Sequence, residues 1–194
     1  MSFTSRLSKV AGYLHPSAKW KHGKTRVVYA YDYSAPDTKY QKKFMDSAYK
    51  NPVCIIPEPE SVEMKTLLSD LTLSDKLIIV SHASSDGLEE IKQNKLVERL
   101  LQYGLKEVGV IKFHSCELGQ KTWIDNFAKK MMMNGVRFSW VSAPRGYYIY
   151  TAFHRWASRE GAETYKEQMR TGEYHIVKGN IPRKFNGSRY IAES

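Results

Sequence analysis

Apolar residues along this chain fall into short runs separated by segments of a different period. The runs are rich in valine, isoleucine and aromatic residues, which favour strands. They lie at 27–33, 53–56, 77–80, 108–113 and 136–142. The run at 77–80 is apolar without interruption, as is typical of a strand covered on both faces. The pattern predicts five core strands.

The segments between these runs show helical spacing, with apolar residues three or four positions apart. A helix over 38–50 ends at an Asn-Pro pair, and a serine at position 61 is placed to cap a helix that continues through 71. Two more amphipathic helices, over 96–101 and 123–131, are each followed by a glycine. After 151 the pattern is weaker and predicts one further short strand at 174–177.

Strands that alternate with helices predict an α/β fold whose mainly parallel sheet has helices on both faces. A chain of 194 residues is long enough for one sizeable core, so we expect a single domain. Its expected parts are a basic N-terminal strap (1–26), a core (27–151) and a C-terminal extension (152–194).

Composition and charge limit the partners, the location and the cysteine chemistry that we expect for this chain. The formal net charge of +10 favours anionic partners, such as nucleic acid, phosphorylated molecules or acidic surfaces. No apolar run is long enough for a membrane span, and the N-terminal segment lacks the apolar core of a secretory signal peptide. We therefore expect the cytoplasm, or export without a cleaved signal, including delivery into a host cell. With only two cysteines, a disulfide framework is not expected.

Two reactive side chains follow successive predicted strands. His82 lies in LIIVSHASSDG and Cys116 in VGVIKFHSCELG. In parallel sheets, functional groups collect at the carboxyl ends of the strands, so these two residues are expected to meet at one edge. Cys54, inside the apolar run VCII, is interpreted as a buried, inert thiol.

An adjacent imidazole and thiol are suited to acyl transfer. The imidazole activates the thiol and later protonates the leaving group, while backbone N–H groups near the following helix bind an oxyanion. His114 is a rival base, ranked second because it shares its backbone with the nucleophile. Asp86 and Glu117 flank the pair but are given no strong role. The histidines lack metal-ligand spacing, so no metal site is predicted.

These motifs resemble the caspase–hemoglobinase fold of clan CD cysteine peptidases. That clan includes caspases, clostripain, CHAT proteases and the self-cleaving peptidase domains of large bacterial toxins. The resemblance implies a three-layer fold in which the third and fourth strands are neighbours, with His82 as general base and Cys116 as nucleophile. It also implies oxyanion donors at the backbone N–H groups of Ala83 and Cys116. Position 83 departs from the clan pattern, where glycine usually follows the histidine.

Two further expectations follow from the resemblance. The segment VSAPRGYYIYT is similar to one wall of the clan's substrate groove, which implies a pocket at Ser142, Ala143 and Arg145, with Arg145 favouring an acidic residue before the cleaved bond. A solvated loop arginine is the alternative. Basic residues at both ends of the chain are similar to those that bind inositol hexakisphosphate, an activator, in the toxin domains, with solvated basic surface as the alternative. They are Lys19, Lys21, Lys24, Arg26, Lys178, Arg183, Lys184 and Arg189.

The sequence thus predicts a thiol endopeptidase that cleaves protein substrates through a His-Cys dyad, in the manner of a virulence effector, and requires no cofactor. The alternative is an inactive caspase-like protein or another α/β module that binds nucleic acid or another polyanion through its basic surface.

Overall fold

The structure, a computed structural model, describes residues 23–31, 52–146 and 174–181. Within these ranges the strands are β1 Thr25–Tyr29, β2 Val53–Cys54, β3 Lys76–Val80, β4 Ala83–Ser84, β5 Gly87–Leu88, β6 Glu107–His114, β7 Arg137–Pro144 and β8 Tyr174–Lys178. The helices are α1 Val62–Lys65, α2 Gln93–Gln102 and α3 Trp123–Met133.

Six of the strands form one sheet in the order β2-β1-β3-β6-β7-β8. Neighbouring strands are parallel except for β8, which runs antiparallel to β7. The register aligns Val80 of β3 with His114 of β6, so these two strands end together. The predicted α/β class with a mainly parallel sheet is confirmed, and so is the adjacency of the third and fourth core strands.

Side chains alternate across the sheet and divide its apolar residues between two faces. Leu77 and Ile79 of β3 belong to a core shared with α2 and α3, whereas Ile78 and Val80 pack with residues of β1 on the opposite face. Both of the longer described helices therefore cover the first face. The helix predicted over 38–50 lies outside the described residues. None of the helices within the described ranges is long and apolar enough to cross a membrane.

The helix predicted over 61–71 is much shorter than expected. Ser61 caps it as predicted, its hydroxyl accepting from the Met64 N–H at 3.2 Å, but α1 ends after one turn. The reason is the hydroxyls that follow. Thr66 donates to the Glu63 carbonyl at 3.0 Å and Ser69 to the Thr66 carbonyl at 2.6 Å. Such side-chain bonds to main-chain carbonyls compete with the helical ladder.

Among the other boundaries that differ from the prediction, two lie near the candidate residues. The segment predicted as a loop at 83–87 contains the short hairpin β4–β5, in which Ala83 pairs with Leu88. Strand β7 continues to Pro144 instead of ending at 142, because β8 pairs with it over its last residues. The pattern predicted a strand at 174–177, now β8, but neither its pairing with β7 nor the hairpin. Both changes occur at the edge of the sheet where His82 and Cys116 follow their strands.

Candidate active site

The ends of β3 and β6 are held together just before the two candidate residues. The Ser81 N–H donates to the His114 carbonyl at 3.4 Å, and the Ser81 and Ser115 hydroxyls lie 2.7 Å apart. Both serines are buried, with 3% and 1% of their surface exposed. His82 and Cys116 directly follow these two serines, just beyond the ends of β3 and β6. The structure therefore brings the backbones that carry the predicted dyad together at one edge of the sheet.

His82 is held in place by packing and by its main chain. Its ring centroid lies 5.2 Å from that of Tyr31, at an interplanar angle of 60°, and its carbonyl accepts from the Glu89 N–H at 3.2 Å. The Nε2 atom is buried and has no hydrogen-bond partner in the described part of the structure. A buried ring nitrogen without a partner is an exception that calls for an explanation.

Cys116 carries a half-buried thiol that is not in a disulfide. The residues after it form a tight turn that docks on the end of β7. The Glu117 N–H donates to the Gly146 carbonyl at 2.9 Å, and the Gly119 N–H donates to the Pro144 carbonyl at 2.8 Å. A Cβ at Gly119 would lie 2.6 Å from the Ala143 carbonyl oxygen, so this close approach requires glycine.

A histidine that sequence reasoning missed ties this turn to two other elements. His175 lies on β8 opposite Ala143 of β7. Its Nδ1 lies 3.1 Å from the Gly119 carbonyl oxygen, and its Nε2 lies 3.3 Å from Oδ1 of Asp125 in the first turn of α3. No motif surrounds His175 in the sequence, so only the antiparallel pairing of β8 reveals the contact.

The main chain at Ala83 is suited to an oxyanion donor. The bond from the Glu89 N–H to the His82 carbonyl flanks the pair formed by Ala83 and Leu88. In an antiparallel ladder this geometry marks a non-hydrogen-bonded pair, so the Ala83 N–H is directed away from β5. Among the non-glycine residues that the structure describes, only Glu117 has a positive φ, at 52°. Ala83 therefore occupies a conformation that does not need glycine.

The other titratable residues near the dyad have contacts elsewhere. Asp86 forms an exposed ion pair with Lys121 at 2.8 Å, and the Glu117 carboxylate accepts from the Gln120 side chain at 3.0 Å. This agrees with assigning neither acid a role in orienting His82. His114, the rival base, is the last residue of β6 and is buried.

The residues predicted to line a substrate pocket are divided between surface and interior. Arg145 is exposed, whereas Ser142 and Ala143 are buried within β7, and Ala143 belongs to the core on the helical face. Ser142 aligns with Lys112 of β6, a buried lysine. The Lys112 ammonium lies 4.9 Å from the centroid of the Tyr174 ring.

Of the basic residues predicted to bind a polyanion, the three that the structure describes are not gathered at the dyad. Lys24 and Arg26, at the amino end of β1, contact the Asp70 carboxylate at 2.6 Å and 2.9 Å. Burial acts to raise the pKa of Asp70, but the two basic partners outweigh it and hold this pKa below its ordinary value. Lys178 lies over the Trp140 ring, 5.7 Å from its centroid. The remaining members lie outside the described residues: Lys19, Lys21, Arg183, Lys184 and Arg189.

Within the described ranges, no group of three or more His, Cys, Asp or Glu residues is arranged to hold a metal ion. In comparisons with known proteins, no family model matches the chain, and no curated protein matches it either.

Proposed function

We propose that this protein is a cysteine endopeptidase of the caspase-like, three-layer type, with Cys116 as the nucleophile and His82 as the general acid and base. The observation that carries the proposal is the 2.7 Å contact between the Ser81 and Ser115 hydroxyls, which brings the ends of β3 and β6 together immediately before the two residues. The adjacency of these strands in a mainly parallel sheet is what the resemblance to this fold requires.

In the proposed reaction, the Cys116 sulfur attacks the carbonyl carbon of the scissile amide while its proton passes to the His82 ring. The new C–S bond gives a tetrahedral intermediate. The intermediate collapses when His82 returns the proton to the leaving nitrogen and the C–N bond breaks. Water then attacks the thioester, its proton passes to His82, and the C–S bond breaks to release the acid and restore the thiol.

The negative oxygen of the tetrahedral intermediate needs fixed donors, and we assign these to the backbone N–H groups of Ala83 and Cys116. The direction of the Ala83 N–H, away from β5, supports the first assignment. A donor from the main chain survives replacement of glycine by alanine. Because Ala83 also avoids a positive φ, its departure from the clan pattern does not argue against activity.

The test measures alkylation of the two cysteines by iodoacetamide in the folded protein at neutral pH, with Cys54 as the internal reference. Its thiol donates to the Tyr31 carbonyl at 3.6 Å and has no role in the proposed site. We expect Cys116 to react faster than Cys54, and His82→Ala to slow Cys116 by at least about tenfold, because the thiolate is the reactive species.

The control variant is His114→Gln, which changes the rival base at the end of β6, two residues before the nucleophile. We expect it to leave the Cys116 rate within about twofold of the wild type, since a base outside the reacting pair does not generate the thiolate. Equal reactivity of the two cysteines would reject the proposal. A loss of reactivity in His114→Gln but not in His82→Ala would transfer the role of base to His114. A peptidyl electrophile that acylates Cys116 in a His82-dependent manner would extend the result to peptides.

A further inference from the structure

We propose that His175 is a positioning residue that fixes the turn after Cys116 and thereby sets the reactivity of the thiol. The effect on Cys116 rests on the proposed function, whereas the contact between His175 and Gly119 is independent of it. His175 does not need to touch substrate in this role. It acts through Gly119, three residues after the nucleophile.

The His175 ring joins elements from three parts of the chain. Nδ1 faces the Gly119 carbonyl oxygen at 3.1 Å and Nε2 faces the Asp125 carboxylate at 3.3 Å. Both partner atoms are acceptors, so a ring protonated on Nδ1 donates to Gly119, and only the doubly protonated ring donates to both. When Nε2 carries a proton, its bond to Asp125 of α3 holds the ring with Nδ1 directed at the turn.

Gly119 is bonded through both of its main-chain groups, to two different strands. Its N–H donates to Pro144 of β7 at 2.8 Å, and its carbonyl faces His175 of β8. A side chain at this position would also lie 3.0 Å from the His175 Cβ, which shows how closely the turn sits on β8. Loss of the His175 donor removes one of these two attachments and leaves the Gly119 carbonyl without its side-chain hydrogen-bond donor.

Cys116 thus lies between two fixed points. Before it, Ser115 is bonded to Ser81, and after it, Gly119 is bonded to β7 and β8. A nucleophile must be held close to its productive geometry to react, and a small displacement lowers the rate. The ring of His175 is the side-chain contribution to the second fixed point.

The experiment compares two substitutions, each of which keeps a donor at the position of only one of the two ring nitrogens. His175→Asn places an amide nitrogen on Cγ, where Nδ1 is attached, and so preserves the donor to Gly119. His175→Gln places an amide nitrogen near the position of Nε2, and so preserves only the contact with Asp125. His175→Phe removes both donors, and Asp125→Asn tests the partner. For each variant we measure amide hydrogen exchange at 117–120 and the alkylation rate of Cys116 relative to Cys54.

We expect His175→Gln and His175→Phe to accelerate exchange in the turn by about threefold to tenfold, the range that corresponds to one net hydrogen bond. Cys116 alkylation should fall by a similar factor in these two variants. His175→Asn should stay within about twofold of the wild type in both measurements, because the donor that matters is retained. A side chain that contributed only to global stability would not separate Asn from Gln in this way.

The results distinguish this inference from the proposed function. Unchanged exchange at 117–120 in both His175→Gln and His175→Phe overturns the inference, whatever the state of the dyad. Faster exchange with an unchanged Cys116 rate, in a protein whose labelling still depends on His82, also overturns it. If wild-type Cys116 reacts no faster than Cys54, the peptidase proposal fails, and hydrogen exchange alone decides the role of His175.

Discussion

The contact between Ser81 and Ser115 is the feature on which the assembly of the candidate site most depends, and it can be tested by a double-mutant cycle. The perturbations are Ser81→Ala, Ser115→Ala and the two together. Each substitution removes only an oxygen, so the packing of the sheet is nearly unchanged. The two hydroxyls lie 2.7 Å apart in a buried setting, where water is not available to replace a missing partner.

The expected magnitudes follow from this burial. Either single substitution leaves the other hydroxyl without a partner, at a cost of about 1–3 kcal/mol in the free energy of unfolding. For a chain of this length, each kcal/mol lowers the midpoint of thermal unfolding by about 2–4 °C. The double variant leaves two methyl groups facing one another and no orphaned hydroxyl. Its cost should therefore resemble that of one single substitution, so the coupling energy should equal the cost of the other one, about 1–3 kcal/mol.

Urea denaturation followed by tryptophan fluorescence provides the assay, with equal m-values required across the series. Ser139→Ala is the matched control. Ser139 is also in the sheet and only 2% exposed, but its hydroxyl has no partner among the described residues. Removing that hydroxyl should leave stability unchanged or raise it. Additive effects in the cycle, or a control as destabilised as the two single variants, would refute the assignment of the Ser81–Ser115 bond.

Two further predictions concern the turn after Cys116 and the opposite end of the sheet. Gly119→Ala places a Cβ 2.6 Å from a β7 carbonyl oxygen, so it should cost about 1–3 kcal/mol and slow Cys116 alkylation. Gly135→Ala, with a positive φ of 77° and open space, should lower the unfolding midpoint without changing that rate. Equal alkylation rates in the two variants would contradict the close packing of the turn. Asp70→Asn should destabilise the protein by less than about 1 kcal/mol, because its ion pairs are half-exposed. The pKa of Asp70 is lowered from 3.8, so this difference is full above that pH and is lost as the pH falls through the lowered pKa. A difference that does not shrink as the pH is lowered below 3.8 would contradict the prediction.

The pattern of apolar residues predicted the core strands because a strand buried in the sheet requires apolar side chains at successive positions. Residues 77–80 are apolar in succession because β3 lies in the middle of the sheet. The end of that strand then fixes the location of His82, which follows it by two residues. The same reasoning placed Cys116 after β6. Both assignments need only the strand period and the rule that parallel strands end at one edge. The adjacency of the two strands is a matter of topology and came from the resemblance.

Local pattern failed where the outcome depends on contacts distant in sequence or on competition between hydrogen bonds. The helix predicted through 71 stopped early because the Thr66 hydroxyl takes a carbonyl that a longer helix would use. The end of β7 was placed two residues too early because its last residues pair with β8. A strand of period two signals that it pairs, but not with which partner or in which direction.

The same limit explains why the proposed catalytic residues were accessible from sequence and the residue proposed to position them was not. His82 and Cys116 are marked by the strands they follow, so their chemistry and their location can be inferred together. His175 and Gly119 are 56 positions apart and meet only because β8 turns back antiparallel along β7. A histidine within YHIVK is indistinguishable, by composition or spacing, from one on any edge strand. The proposed reacting groups are therefore determined locally, while the proposed positioning of the turn after Cys116 depends on the last described strand of the sheet.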